Sequence, residues 1–152
     1  MRTPTSEPMA ALASGTLIYV DTSAALKLLI NEPESSRLAR WLQDAVLDEC
    51  VLCSSLLLHT ELHCACARRA ALKTSVVDSL LAGIELVDLS RDHLLQASRA
   101  RSGLRAADAI HLTVATMTGA QALVTYDHEM SRAAVAIGMR VYAPGSVHRE
   151  QF

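Results

Sequence analysis

With 152 residues, 51% of them hydrophobic and 20% charged, the chain has room for one domain with a sizeable core and little for a second. Aromatic residues make up only 3%, so that core has to be built from Leu, Ala, Val and Ile. The net charge of −2 lacks the basic footprint of a passive nucleic-acid-binding module, and no apolar run nears the roughly 20 residues that span a bilayer.

Residues 1–15 are polar and Pro-containing, without the apolar stretch of a signal peptide. They read as a disordered lead-in to a cytoplasmic protein. A strand is expected at 17–20, then a helix over 24–30 with Thr22 or Ser23 as its cap. The run Asn31-Glu32-Pro33-Glu34 breaks that helix. A second helix over 35–47 carries Leu38, Trp41, Leu42 and Ala45 at spacings of three and four. A short strand at 51–53 leads, with Ser54 or Ser55 as cap, into a helix reaching about residue 71.

A further helix over 74–82 stops at Gly83, and a strand follows at 86–89. Ser90 caps a helix through Arg101, and Gly103 interrupts the chain before a helix over 105–118 that ends at Gly119. The last elements are a strand at 122–125, a helix over 128–137 ended by Gly138, and a strand at 139–142. Five apolar strands alternating with helices define an α/β sandwich around a mostly parallel five-stranded sheet. The domain is expected over 16–145, with 146–152 a frayed tail.

Cys50, Cys53, Cys64 and Cys66, with His59 and His63 between them, look superficially like a zinc site. Residues three apart on a strand point to opposite faces, and 64 and 66 stand about 200° apart around a helix. The thiols are therefore read as ordinary buried cysteines of a reducing compartment.

The chemistry lies in four acids that stand alone in apolar stretches: Asp21, Glu61, Asp108 and Asp127. Buried carboxylates are costly unless paired, hydrogen-bonded or bound to a cation. Singly, each has an ordinary explanation. Asp21 and Asp127 suit helix caps, Glu61 a solvated helix edge, and Asp108 an ion pair with Arg105. Together they suit one pocket. Asp21 and Asp127 each follow a strand, and open parallel sheets bind ligands at the carboxyl ends of their strands. An all-oxygen cluster fits a hard cation such as Mg2+ and metal-assisted phosphodiester hydrolysis. A phosphoaspartate enzyme would want a second acid two residues after its nucleophile, which Asp21-Thr22-Ser23 lacks.

The motifs around these acids resemble the PIN-domain family, and within it the VapC-type toxins of bacterial toxin–antitoxin pairs. The resemblance runs in order through Tyr19-Val20-Asp21-Thr22-Ser23, Glu32-Pro33-Glu34, Thr60-Glu61-Leu62, Leu104-Arg105-Ala106-Ala107-Asp108-Ala109-Ile110-His111 and Leu123-Val124-Thr125-Tyr126-Asp127. It covers about 17–144. It implies a PIN-like three-layer α/β/α sandwich and a Mg2+- or Mn2+-dependent endoribonuclease that cuts tRNA or rRNA to inhibit translation. It also implies a VapB-type antitoxin as partner and a homodimer. Asp21, Glu61, Asp108 and Asp127 carry over as the metal-binding and catalytic set. Thr125 matches a supporting hydroxyl, and Thr22 or Ser23 serves the same end beside Asp21. Arg105, His111 and Arg68 are candidate RNA contacts, each with a structural alternative, and Lys27, Arg99 and Arg101 share that ambiguity. The competing readings are a catalytically silent PIN module that binds RNA or protein, and a related phosphoesterase.

Overall fold

A computed structural model of the protein describes residues 12–147. In chain order the elements are β1 (Leu17–Val20), α1 (Thr22–Leu29), α2 (Ser35–Leu47), β2 (Val51–Ser55), α3 (Leu56–Arg68) and α4 (Thr74–Ala82). They continue with β3 (Glu85–Val87), α5 (Arg91–Arg99), α6 (Ala106–Thr118), β4 (Ala122–Val124), α7 (His128–Ala136) and β5 (Arg140–Tyr142). The five strands form one sheet in the order β3-β2-β1-β4-β5. All of its pairings are parallel, so the sheet is parallel throughout rather than mostly so.

Alternation along the strands divides the core between the two sheet faces. Ile18, Val20, Ala122 and Val124 pack with Leu38 of α2, Leu58 and Leu62 of α3, and Val77 of α4. Tyr19, Cys53 and Leu123 turn the other way, onto Leu112 and Val114 of α6 and Met130 and Ala134 of α7. Helices on both faces make the three-layer sandwich. Leu62 is fully buried, so Leu62→Ala is expected to lower the unfolding free energy by about 2–5 kcal/mol in urea titrations.

Local signals account for most element ends. The Ser55 hydroxyl accepts the Leu57 N–H at the start of α3, and Ser90 forms a capping box with His93 at α5. Gly119, at φ 83°, takes the left-handed conformation that closes α6. The start of α1 differs from expectation. Its N-cap position is Asp21, whose side chain makes no cap bond, and Thr22 and Ser23 lie inside the first turn. Their hydroxyls are engaged elsewhere, as described below. The third strand begins and ends earlier than 86–89, because its partner strand stops at Ser55, opposite Val87.

Of the expected lead-in, residues 1–11 lie outside the described residues, and 12–15 belong to the domain. Leu12 is buried in the core, and the Gly15 N–H donates to the Glu49 carbonyl at 3.0 Å. Residues 148–152 of the expected tail also lie outside. Cys50 and Cys53 are buried in opposite core layers, and burial pushes the Cys53 thiol up to about 12. Cys64 is exposed, so the thiols are not uniformly buried as expected: its place on α3 turns away from the core side taken by Leu58, Leu62 and Ala65. Among the described residues no helix is long and apolar enough to cross a membrane.

Candidate active site

The chain builds outward from β1 in both directions, to β2 and β3 on one side and to β4 and β5 on the other. That reversal puts a crevice at the carboxyl ends of β1 and β4. Asp21 leaves β1 there, with its N–H donating to the Val124 carbonyl at 3.0 Å. Its side chain is 2% exposed. Oδ2 accepts the Thr125 hydroxyl at 2.7 Å and the Ser23 hydroxyl at 2.8 Å. Those hydroxyls accept in turn from backbone: Ser23 from the Tyr126 N–H at 3.0 Å, Thr125 from the Asp127 N–H at 3.1 Å. The carboxylate is thus clamped across the two strands. Oδ1, also buried, has no hydrogen-bond partner. A buried carboxylate oxygen without a donor is expensive, and a cation is the ligand that removes the cost.

Glu61 comes from the second turn of α3 and reaches the same edge. Its Oε1 accepts the Thr22 hydroxyl at 2.9 Å and is also bonded to His111 Nε2. Burial alone would raise its pKa, but the hydrogen bond and charge of His111, and then the Thr22 hydrogen bond, outweigh burial and hold the carboxyl below its ordinary value. His111 is fully buried, and its Nδ1 lies 2.7 Å from the Tyr19 hydroxyl.

Asp108 stands in the first turn of α6. Partial burial, then the charges of Asp21, Asp127 and Glu61, push its carboxyl up to about 6. This shift is the clearest sign that the four acids share one electrostatic neighbourhood. No ion pair joins Asp108 to Arg105 among the described residues. Asp127 is also a cap: its Oδ1 accepts the Met130 N–H at 2.9 Å at the start of α7.

The donor set fits a hard divalent ion. It is all oxygen, and it holds an unpartnered buried carboxylate oxygen and a carboxyl raised by like charges. Among the described residues no three His, Cys, Asp or Glu side chains close into a ready cage. A cation that keeps several waters and takes one or two carboxylates directly does not need one.

Other sequence candidates fall differently. The buried His111 is out of reach of RNA, and its bond to Glu61 replaces the contact considered from sequence. Arg68, Arg99, Arg101 and Arg105 are exposed, and no ion pair engages them among the described residues. Lys27 is not free: its Nζ bonds Glu32 and Glu34 and sits 4.7 Å from the centre of the Tyr126 ring. A groove of about 520 Å³ between α5, α6 and α7, lined by Leu112, Met117 and Ile137 among others, contains none of the four acids. Sequence reasoning gave Tyr19 no role beyond its place in the first strand and motif. The available signal was a lone phenol in an apolar central strand, since a buried Tyr hydroxyl needs a partner.

A parallel sheet with acids gathered at the carboxyl edge of its central strand pair is the architecture of the PIN-domain family, and the chain belongs to it: residues 18–136 match the family model described as PIN domain. Its relatives include Ribonuclease VapC35 of Mycobacterium tuberculosis (strain CDC 1551 / Oshkosh), 36% identical over 136 residues that cover 85% of this chain and 98% of that protein. Ribonuclease VapC47 of the same strain is 34% identical over 135 residues, covering 86% and 99%. Among solved structures, VapBC2 from Rickettsia felis, bound to a DNA fragment from their promoter, aligns with a TM-score of 0.64 at 14% identity, over 84% of this chain and 98% of that one. A toxin–antitoxin complex from Klebsiella pneumoniae aligns with a TM-score of 0.63 at 17% identity, over 86% and 99%. At these identities the structural likeness carries the fold.

Proposed function

We propose that the protein is an endoribonuclease that depends on Mg2+, with Mn2+ as a substitute, and acts as the toxin of a toxin–antitoxin pair. Its substrate is RNA, tRNA or rRNA, cut in the cytoplasm so that translation stops. The observation that carries this reading is the clamped Asp21 with one buried, unpartnered oxygen beside the proton-hungry Asp108. The names of the VapC ribonuclease relatives support it.

Asp21 and Asp108 are the residues that would hold the cation, with Glu61 and Asp127 completing the acidic wall. When bound, a divalent cation supplies Lewis acidity and neutralises charge at the attacked phosphate. The protein's own part is geometric. Thr125 and Ser23 fix one Asp21 oxygen so that the other is presented without rotamer search. Thr22 and His111 do the same for Glu61. Asp108 joins the donor set once it is ionised, above about pH 6. Exposed Arg105, three residues before Asp108, and Arg68, seven residues beyond Glu61 on one face of α3, are the cations proposed to meet phosphates.

A VapB-type antitoxin and a homodimer complete the proposal. The toxin–antitoxin complexes among its structural neighbours support the first. A silent module is the weaker reading, because all four acids are present.

The deciding experiment is sequencing of RNA 5′ ends after induced expression, with Asp108→Asn as control. New ends at a small set of sites in wild type, absent from the variant, are expected. Identical ends in both strains would remove the assigned site, and no new ends in either would remove the activity.

A further inference from the structure

Behind Glu61 a chain of bonds runs into the buried interior. The Ser55 N–H donates to the Tyr19 hydroxyl at 3.0 Å, and that hydroxyl lies 2.7 Å from His111 Nδ1. On the far side of the ring, Nε2 bonds Glu61 Oε1 and lies 3.1 Å from the Thr22 hydroxyl. Tyr19 and His111 are both fully buried, their rings edge to face at a centroid distance of 5.8 Å. Neither residue touches Asp21, Asp108 or Asp127 through any hydrogen bond among the described residues.

We infer that Tyr19 and His111 are positioning residues for the nuclease site, with Tyr19 selecting the His111 tautomer that donates to Glu61. For the neutral ring the tautomer follows from the bonds on its two sides. The Tyr19 oxygen accepts the Ser55 N–H, and its single proton is directed at His111 Nδ1, 2.7 Å away, rather than at the neighbouring Ser54 hydroxyl, which donates to the Val20 carbonyl. A ring nitrogen that accepts there leaves the ring proton on Nε2, facing the carboxylate. The opposite tautomer would set a lone pair against Oε1 and leave the Tyr19 proton without an acceptor, two unsatisfied groups in a dry interior.

The consequence falls on Glu61. Its Oε1 is fully used by Thr22 and His111, and Oε2 has no hydrogen-bond partner among the described residues. Glu61 therefore offers the crevice one oxygen in one orientation. Outer partners of this kind set the aim of a ligating side chain, and their loss typically costs 10–100-fold in metal affinity or activity. Central strand β1 thus serves the site twice: Tyr19 faces one sheet layer and aims Glu61, and Asp21, at the strand's end, sits in the crevice itself.

This role deepens the nuclease proposal and rests on it, and the test separates the two. Nitrogen-15 NMR of histidine-labelled wild type reads the His111 tautomer directly, and a proton on Nε2 with Nδ1 bare is expected. In Tyr19→Phe, which loses one oxygen, a mixture with the Nδ1–H form is expected. Isothermal titration with Mg2+ should show affinity weakened by about 10–100-fold, and kcat on RNA should drop by a similar factor with KM unchanged. A proton on Nδ1 in wild type, or wild-type Mg2+ affinity in Tyr19→Phe, overturns the inference. Should Tyr19→Phe not fold, His111→Gln against His111→Leu makes the same comparison, since only Gln keeps a donor for Glu61. Roughly tenfold better Mg2+ binding by the Gln variant supports the role, and equal losses overturn it. The expected tautomers in a protein that neither binds Mg2+ nor cuts RNA would leave the bond chain standing and dismiss the nuclease reading.

Discussion

Purified Asp108→Asn protein is expected to lose RNA cleavage by more than about 100-fold, beyond the usual effect of an outer partner, and yet to melt higher than wild type in metal-free buffer at pH 7. The two effects have one cause. Partial burial and the charges of Asp21, Asp127 and Glu61 hold the Asp108 carboxyl at about 6 against its ordinary 3.8. A carboxyl whose pKa is raised on folding stabilises the folded state fully below its unfolded value. That stability is lost as pH rises through the folded value. At pH 7 Asp108 is ionised against its neighbours, and the fold bears the repulsion. Asn removes the charge, keeps the shape, and cannot serve as an anionic ligand. The gain should be a few degrees, and the wild-type decline in melting temperature that this carboxyl causes between about pH 4 and 6 in EDTA should flatten in the variant. A variant that cleaves like wild type, or that melts lower without metal, would contradict the assignment.

The second large effect is stabilisation by the cation itself. Millimolar Mg2+ or Mn2+ should raise the melting temperature of wild type at pH 7.5, because a ligand that binds only the folded state adds about 2.7 kcal/mol at 100 times its Kd. The rise should shrink as pH falls through about 6, where Asp108 takes up a proton in place of the metal. An Asp21→Asn/Asp108→Asn double variant should show no rise at all. Thermal scans at several pH values decide it, and an equal rise in the double variant would show that the ion binds elsewhere.

The order and kind of the elements were legible because two periodicities and a few punctuating residues determine them. Ser55, Ser90, Gly83 and Gly119 each end or begin an element for reasons of local bonding. What local reasoning left open were contacts that pair distant segments. Thr22 and Ser23 carry good caps by residue type, but tertiary partners took both hydroxyls: Glu61 the one, Asp21 and Thr125 the other. For Asp127, cap and site residue stood as alternatives, and the two oxygens of a carboxylate allow both. Tyr19 and His111 lie 92 residues apart, and no spacing rule links a strand phenol to an imidazole on a late helix. The acids themselves were visible because charge is conspicuous among Ala, Leu and Val.

The clamp on Asp21 also orders events in time. The bond from Thr125 spans 104 residues of sequence, and Asp127 follows two residues later. A chain emerging from the ribosome therefore displays Asp21 early. It lacks the hydroxyl that fixes Asp21, the strand that flanks it and the fourth acid until β4 and the residues after it have been made. Pairing of β1 with β4 is a late, long-range step in such a fold. For a protein proposed to attack the RNA of translation, the site stays incomplete on the ribosome that makes it until β4 and Asp127 have followed Asp21 out.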